Sequence, residues 1–288
     1  MEREKFKSRL GFILISAGCA IGIGNVWKFP YMVGTNGGGI FVLFYLIFLA
    51  IMGVPIMSME LSIGRASRKS TVRAYQELEK PGTKWHLHGY VAMAGNYILM
   101  MFYTVVTGWM IYYFYLFLTG KFDGASTEQV VASYEQMLGS PVILTVTMLI
   151  VVISGFFICS FGLQSGVERV TKWMMVALLV IMVFLAFYSF TMPGAAEGLK
   201  FYLVPDMKQV EEIGLFNIIT AAMNQSFFTL SLGIGAMLIF GSYLGEGRTI
   251  LGEAKNIAIL DTFVAIVSGL IIFPACFSFG VSPDAGPS

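Results

Sequence analysis

Of the 288 residues, 57% are hydrophobic and only 12% are charged, against roughly 25% charged in an ordinary soluble domain, so the chain reads as an all-α polytopic membrane protein. The formal net charge of +1 provides no basic surface for nucleic acid. The three cysteines, Cys19, Cys159 and Cys276, all lie in apolar runs, which argues against a disulfide framework or a zinc site.

In chain order, the apolar pattern predicts about seven spans long enough to cross a bilayer: 11–36, 40–64, 89–119, 141–160, 169–192, 214–244 and 255–280. The charged start (Arg3, Lys5, Lys7, Arg9) runs into the first span with no small-residue cleavage site, so no removable signal is expected. Four Lys or Arg precede span one and six lie between Arg65 and Lys84. Arg169 and Lys172 follow span four, and Arg248 and Lys255 follow span six. Positive charge marks cytoplasmic loops, so the N-terminus is expected inside a multi-pass plasma-membrane protein.

Span one contains Gly18-Cys19-Ala20-Ile21-Gly22-Ile23-Gly24-Asn25-Val26-Trp27-Lys28-Phe29-Pro30. Its glycines weaken the helix at a depth where loose backbone must face a cavity or a ligand. The same Gly18 and Gly22 spacing also suits close helix packing, so two readings stand at this point. Span six repeats the pattern in Asn224-Gln225-Ser226-Phe227-Phe228-Thr229-Leu230-Ser231-Leu232-Gly233-Ile234-Gly235. Two interrupted helices five spans apart cross in opposite directions, as in an inverted repeat whose binding site lies where the breaks meet. The expected division is residues 1–200 for the first five-span repeat and 201–288 for the start of the second.

Carboxylates inside spans need a cavity or a partner. Glu60, late in span two, is expected to hold the cytoplasmic half of a neighbouring broken helix, and Asp261, early in span seven, to bind a cation. Tyr103 in span three reads as packing unless a pocket lies beside it. His86 and His88 beside Trp85 read as interfacial rather than as metal ligands. No hydrolase, zinc-protease or nucleotide-binding motif occurs, so no enzyme is expected.

The ordered stretches Ala17 to Tyr31, Asn36-Gly37-Gly38-Gly39, Pro55 to Glu60, Gly166-Val167-Glu168-Arg169 and Phe227 to Gly233 together resemble the neurotransmitter:sodium symporters, in their bacterial amino-acid branch. The resemblance implies the LeuT-type inverted-repeat fold, with helices 1 and 6 unwound at the midplane, and sodium-driven import of a neutral amino acid, aliphatic or aromatic. It also implies a first sodium site from the Ala20 carbonyl, Asn25, Thr229 and Asp261, and a second that takes the Gly18 and Ile21 carbonyls. The substrate carboxylate would meet the Ile23 and Gly24 amides and the Tyr103 hydroxyl. The ammonium would meet carbonyls near Ala20, Phe228 and Thr229 with the Ser231 hydroxyl. Leu99, Phe228 and Ile234 would line the side-chain pocket, with Gly233 setting its depth.

Three departures from the family pattern matter. Lys28 stands at an outer gate where arginine is usual, and it offers a point charge instead of a bidentate contact. Asp261 stands where many relatives carry asparagine, and Ala265 lies one turn beyond it, so chloride is not expected to be required. The chain stops at Ser288, where the family continues, so it is expected to be an N-terminal fragment that does not transport alone. The rival readings are a truncated binding or regulatory relative and a proton-coupled carrier using Asp261. The partners expected are the amino acid, sodium and the bilayer, with no nucleic acid and no organic cofactor; the oligomeric state is left open.

Overall fold

A computed structural model of the chain describes residues 9–162, 166–245 and 247–285. Arg3, Lys5 and Lys7 of the expected cytoplasmic start, and the closing Gly286-Pro287-Ser288, lie outside these residues. Regular structure among the described residues is helical, apart from one isolated bridge between Gly38 and Pro205.

Span one is α1 (Arg9–Ala20), a π turn (Gly24–Lys28) and α2 (Phe29–Thr35), the two halves bent by 53°. Only Ile21 and Gly22 leave helical geometry, so the break is shorter and earlier than the glycine pattern suggests. Span two is α3 (Gly39–Phe48), a π turn (Leu49–Gly53) and α4 (Val54–Ser67), continuous over 29 residues. Pro55 lies at the junction; it has no N–H to donate, and a widened turn accommodates that loss. The remaining helices are α5 (Thr71–Leu78), α6 (His86–Leu118), α7 (Thr127–Leu138), α8 (Pro141–Ser160), α9 (Glu168–Ser189), α10 (Ala195–Leu203) and α11 (Met207–Ile213). They are followed by α12 (Leu215–Thr229), α13 (Ala236–Gly241) and α14 (Ile250–Phe279).

Five helical stretches are long and apolar enough to cross a membrane, and the bent pair of span one makes six. The predicted sixth span is α12 and α13, separated by a turn over Leu230–Gly235. Positive φ at Ser231 (52°), Gly233 (83°) and Gly235 (72°) stops the helix there, since a right-handed helix cannot pass through left-handed residues. Span seven starts at Ile250, five residues before the boundary read from hydropathy, and so takes Lys255 into the helix.

The described residues form two compact units, one from the stretches up to 93 and from 168 onward, the other within 94–167. The boundary expected at 200/201 concerns an internal repeat, whereas these units follow packing. In the first unit α14 packs against α1, α4, α9 and α10, and α12 packs against α3. The Tyr202 ring covers Gly269, and its hydroxyl donates to the Ile266 carbonyl at 3.1 Å. α4 and α13 approach through a reciprocal pair of glycines. A Cβ on Gly64 would fall on the Leu238 carbonyl, and one on Gly241 on Leu61 backbone.

In the second unit Gly108 of α6 lies against Thr147 of α8, and Trp109 meets Tyr134 edge-on at 5.9 Å. Ser126 and Gln129 form a capping box that starts α7.

The glycine contact between α4 and α13 has a measurable consequence. Gly64→Ala forces backbone apart and is expected to cost about 1–3 kcal/mol, lowering the thermal midpoint in detergent. Gly155→Ala on α8, whose added Cβ meets nothing within 4 Å, should leave that midpoint nearly unchanged. Equal midpoints for both variants would contradict the packing.

Candidate functional site

The two breaks lie against each other, and α14 closes the junction. The helix α1 ends at Ala20, so its last carbonyls lose their partners one turn ahead, and the helix resumes from Gly22, whose carbonyl accepts the Asn25 and Val26 N–H groups at 3.1 and 3.4 Å. The Gly22 N–H is itself answered from within the segment, donating to Asn25 Oδ1 at 3.2 Å. The Ser231 hydroxyl from the second break donates to the Cys19 carbonyl at 3.4 Å. Gln225 Nε2 donates to the Gly24 carbonyl at 3.5 Å.

At the centre stand Asn25, Thr229 and Asp261, all at most 1% exposed. Asn25 Nδ2 donates to Asp261 Oδ1 at 2.8 Å, and it lies 3.2 Å from the Asp261 carbonyl oxygen. The same amide donates to Thr229 Oγ1 at 3.1 Å, and that hydroxyl donates onward to Asp261 Oδ2 at 3.0 Å. Each carboxylate oxygen therefore has one neutral donor. Among the described residues no lysine, arginine or histidine forms an ion pair with Asp261. A carboxylate withdrawn from water with neutral donors alone is left short of positive charge. Oxygen is the dominant donor chemistry here, from carboxylate, hydroxyl and freed backbone carbonyls, while the Asn25 amide turns its nitrogen to Asp261 and its oxygen to Gly22 N–H. That set suits a hard cation rather than a soft metal.

The expected residues fall into place unevenly. Ala20, Ile21, Ile23, Gly24, Asn25, Thr229, Ser231 and Asp261 belong to the two breaks and the helix that closes them. Gly18 is one turn earlier on α1, where an added Cβ would press on Thr171 and Met175 of α9, so the close-packing reading of this glycine also holds. Lys28 lies with its Nζ 3.3 Å from the centre of the Phe228 ring, a cation–π contact between the two broken helices. Gly233 faces open space, and Phe228 and Ile234 flank the second break. Leu99 and Tyr103, one turn apart on α6, belong to the second compact unit and are each partly buried.

Glu60 performs the task read from its position. It is buried on α4, and its Oε1 accepts the Gly233 N–H at 2.6 Å, in the turn between α12 and α13. A broken helix buried in the protein needs such an acceptor, because its own turn cannot supply one. His86 is held by Glu79 through a 2.8 Å contact between Nδ1 and Oε1, and His88 lies edge-on to Tyr75.

Three residues escaped the sequence reading. The Ser268 hydroxyl donates to the Asn25 carbonyl at 2.8 Å and ties the resumed helix to α14. Gln225 and Tyr45 are buried with Gln225 Oε1 and the Tyr45 hydroxyl unpartnered among the described residues. The spacing held a signal, since Gln225 is one turn before Thr229 and Ser268 is two turns after Asp261, each on the face already implicated.

The model of the Sodium:neurotransmitter symporter family matches residues 3–136 and 128–280, nearly the whole chain. The chain belongs to that family. It is 36% identical over 284 residues to the uncharacterized sodium-dependent transporter YhdH of Bacillus subtilis, covering 99% of this chain and 62% of that protein. It is 26% identical to the sodium- and chloride-dependent GABA transporter 2 of Rattus norvegicus, covering 95% of this chain and 50% of the transporter. Among solved structures, MhsT in complex with L-phenylalanine superposes with a TM-score of 0.91 at 39% identity, over 99% of this chain and 64% of MhsT. The chain therefore spans a little under two thirds of YhdH and of MhsT.

The Glu60 contact yields a graded prediction. Glu60→Gln keeps an acceptor for Gly233 N–H, whereas Glu60→Leu removes a charge-assisted hydrogen bond that fixes the turn, a loss of about 1–3 kcal/mol. Thermal melts should rank unmutated chain, Gln variant, Leu variant in falling order. A Leu variant as stable as the Gln variant would contradict the role.

Proposed function

We propose that this chain forms the sodium and substrate core of a sodium-coupled symporter that imports a neutral amino acid, aliphatic or aromatic, by alternating access. The observation that carries the reading is the Asp261 carboxylate, fully buried beside two broken helices and, among the described residues, hydrogen-bonded only to the neutral Asn25 and Thr229. A sodium ion supplies the absent positive charge. Asp261, Thr229, Asn25 and the Ala20 carbonyl would hold it, and the Gly18 and Ile21 carbonyls would contribute to a second ion. The inverted repeat divided near residue 200 belongs to the same reading, as does a cytoplasmic N-terminus.

The amino acid's two charges fit the two kinds of helix end. Its carboxylate suits the Ile23 and Gly24 amides, where the dipole of the resumed helix is positive. Its ammonium suits carbonyls at the ends of α1 and α12, near Ala20, Phe228 and Thr229, with the Ser231 hydroxyl. Phe228 and Ile234 offer apolar surface to a side chain. Leu99 and Tyr103 enter through the family resemblance alone. The match to a structure holding L-phenylalanine supports a neutral substrate. Lys28 over Phe228 gives the gate a cation resting on an aromatic face, in place of a guanidinium fork.

Chloride is not needed in this reading, because Asp261 supplies the negative charge beside sodium and Ala265 offers no polar group one turn on. The test is binding of radiolabelled phenylalanine or leucine to the purified chain, and uptake by the chain extended with the remaining spans of a relative. Both are measured with sodium replaced by choline, and then with chloride replaced by gluconate. Sodium dependence without chloride dependence is expected. Binding that follows pH and ignores sodium would make Asp261 a proton carrier instead.

Two substitutions refine this. Asp261→Asn is expected to abolish sodium-dependent binding or to make it require chloride; binding that keeps its sodium dependence with no chloride requirement sinks the assignment. Tyr103→Phe removes one hydrogen bond to a charged group, worth about 1.5–3 kcal/mol, so affinity should fall about tenfold or more. Unchanged affinity in the folded variant would reduce Tyr103 to packing.

A further inference from the structure

We propose that a groove between span two and α14 holds one acyl chain of an anionic phospholipid, with the lipid phosphate on Lys255. The groove has a volume of about 560 Å³ and runs between the π turn and first residues of α4 on one side and the outer face of α14 on the other. Leu49, Ala50 and Val54 form the first wall. Ala50 projects only a methyl group, which leaves a hollow where a larger residue would fill the space. On α14 the lining residues begin at Lys255 and recur through Ile259 and Phe263 to Ile266, one stripe of the helix. Ile259 is 67% exposed and Phe263 42%, so the stripe has no protein cover among the described residues.

Three observations select a lipid. First, the groove is apolar along its length: the one hydroxyl on its lining, Thr262, donates to the Ala258 carbonyl at 2.7 Å and offers nothing to a polar ligand. Second, Lys255 to Ile266 is eleven residues, a rise of about 16 Å, while half the hydrocarbon core of a bilayer is about 15 Å. The groove is one leaflet deep, with its cation at the shallow end. Third, Lys255 is exposed and makes no hydrogen bond or ion pair with the described residues. The neighbouring carboxylate, Glu253, is turned to Arg248, with 3.7 Å between Oε1 and the guanidinium. A lysine at the polar edge of an apolar groove complements a phosphate. Phosphatidylglycerol is favoured over phosphatidylcholine, since choline brings its own cation to compete with Lys255.

The experiment purifies the chain in mild detergent from membranes doped with equal phosphatidylglycerol and phosphatidylcholine, and counts retained lipids by native mass spectrometry. The unmutated chain should retain phosphatidylglycerol several-fold over phosphatidylcholine. Lys255→Gln should bring that ratio to about one, and Ala50→Trp, which fills the groove, should lower retention of both lipids. Circular dichroism melts of the two variants establish that they are folded. A photoreactive residue at Ile259 adds a second measurement and should label phosphatidylglycerol. Undiminished preference in the folded Lys255→Gln chain would overturn the proposal, as would labelling of a second copy of the chain, or of a later span in a longer form, instead of lipid.

Discussion

The contact on which the fold depends is the buried triangle of Asn25, Thr229 and Asp261. Three segments far apart in sequence meet there, and each supplies polar partners to the others. Asn25 spans the gap because an amide both donates and accepts: it receives Gly22 N–H on one side and donates to Thr229 and Asp261 on the other. A residue with only one of these capacities would leave either the break or the carboxylate unsatisfied, at about 1–3 kcal/mol per orphaned group. Ser268 adds a tie from α14 to the Asn25 carbonyl. The first break is thus fixed through both its side chain and its backbone.

The rest of the first unit holds that triangle in place while leaving the breaks open. Bulky side chains would keep the helices about 8–10 Å apart; glycines at Gly64 and Gly241 bring α13 onto α4 instead. That approach lets Glu60 reach Gly233 at the turn between α12 and α13. The π turn at Leu49–Gly53 belongs to the same economy, since it absorbs Pro55 without ending the span. It also leaves Ala50 facing α14. The groove beside Lys255 and the support of the second break thus both draw on span two, the first at its π turn and the second at Glu60.

Much of this was legible in the sequence because the strongest signals are thermodynamic necessities. Span existence follows from apolar length, and the predicted and observed spans differ at their ends and in the sixth, which is divided into α12 and α13, each too short to cross a membrane alone. The breaks followed from glycine and polar residues where lipid allows neither loose backbone nor unpaired charge, and Glu60 and Asp261 followed from the cost of a carboxylate in hydrocarbon. The exact extent of each break was not legible. Span one rewinds through a π turn at Gly24–Lys28, because that geometry depends on packing against α14 and α12 rather than on local preference. The short helices α5, α7, α10 and α11 fell between apolar runs and left no hydropathy signal. Ser268 and Gln225 were hidden for a further reason: a hydroxyl or amide on a buried face is common, and only the partner across the interface gives it meaning.

The family to which the chain belongs gives the triangle a thermodynamic consequence. If a cation and an amino acid share one junction, each must change the free energy of the other by the same amount, because linkage between two binding events is reciprocal. In the function proposed above, Asp261 suits that coupling by being buried and, among the described residues, bonded to neutral donors alone, since an ion pair with a fixed lysine would satisfy it in every state. Lys28, the cation between the two broken helices, rests on Phe228 and not on Asp261. Its charge is held by an aromatic face, so among the described residues the carboxylate keeps only neutral donors.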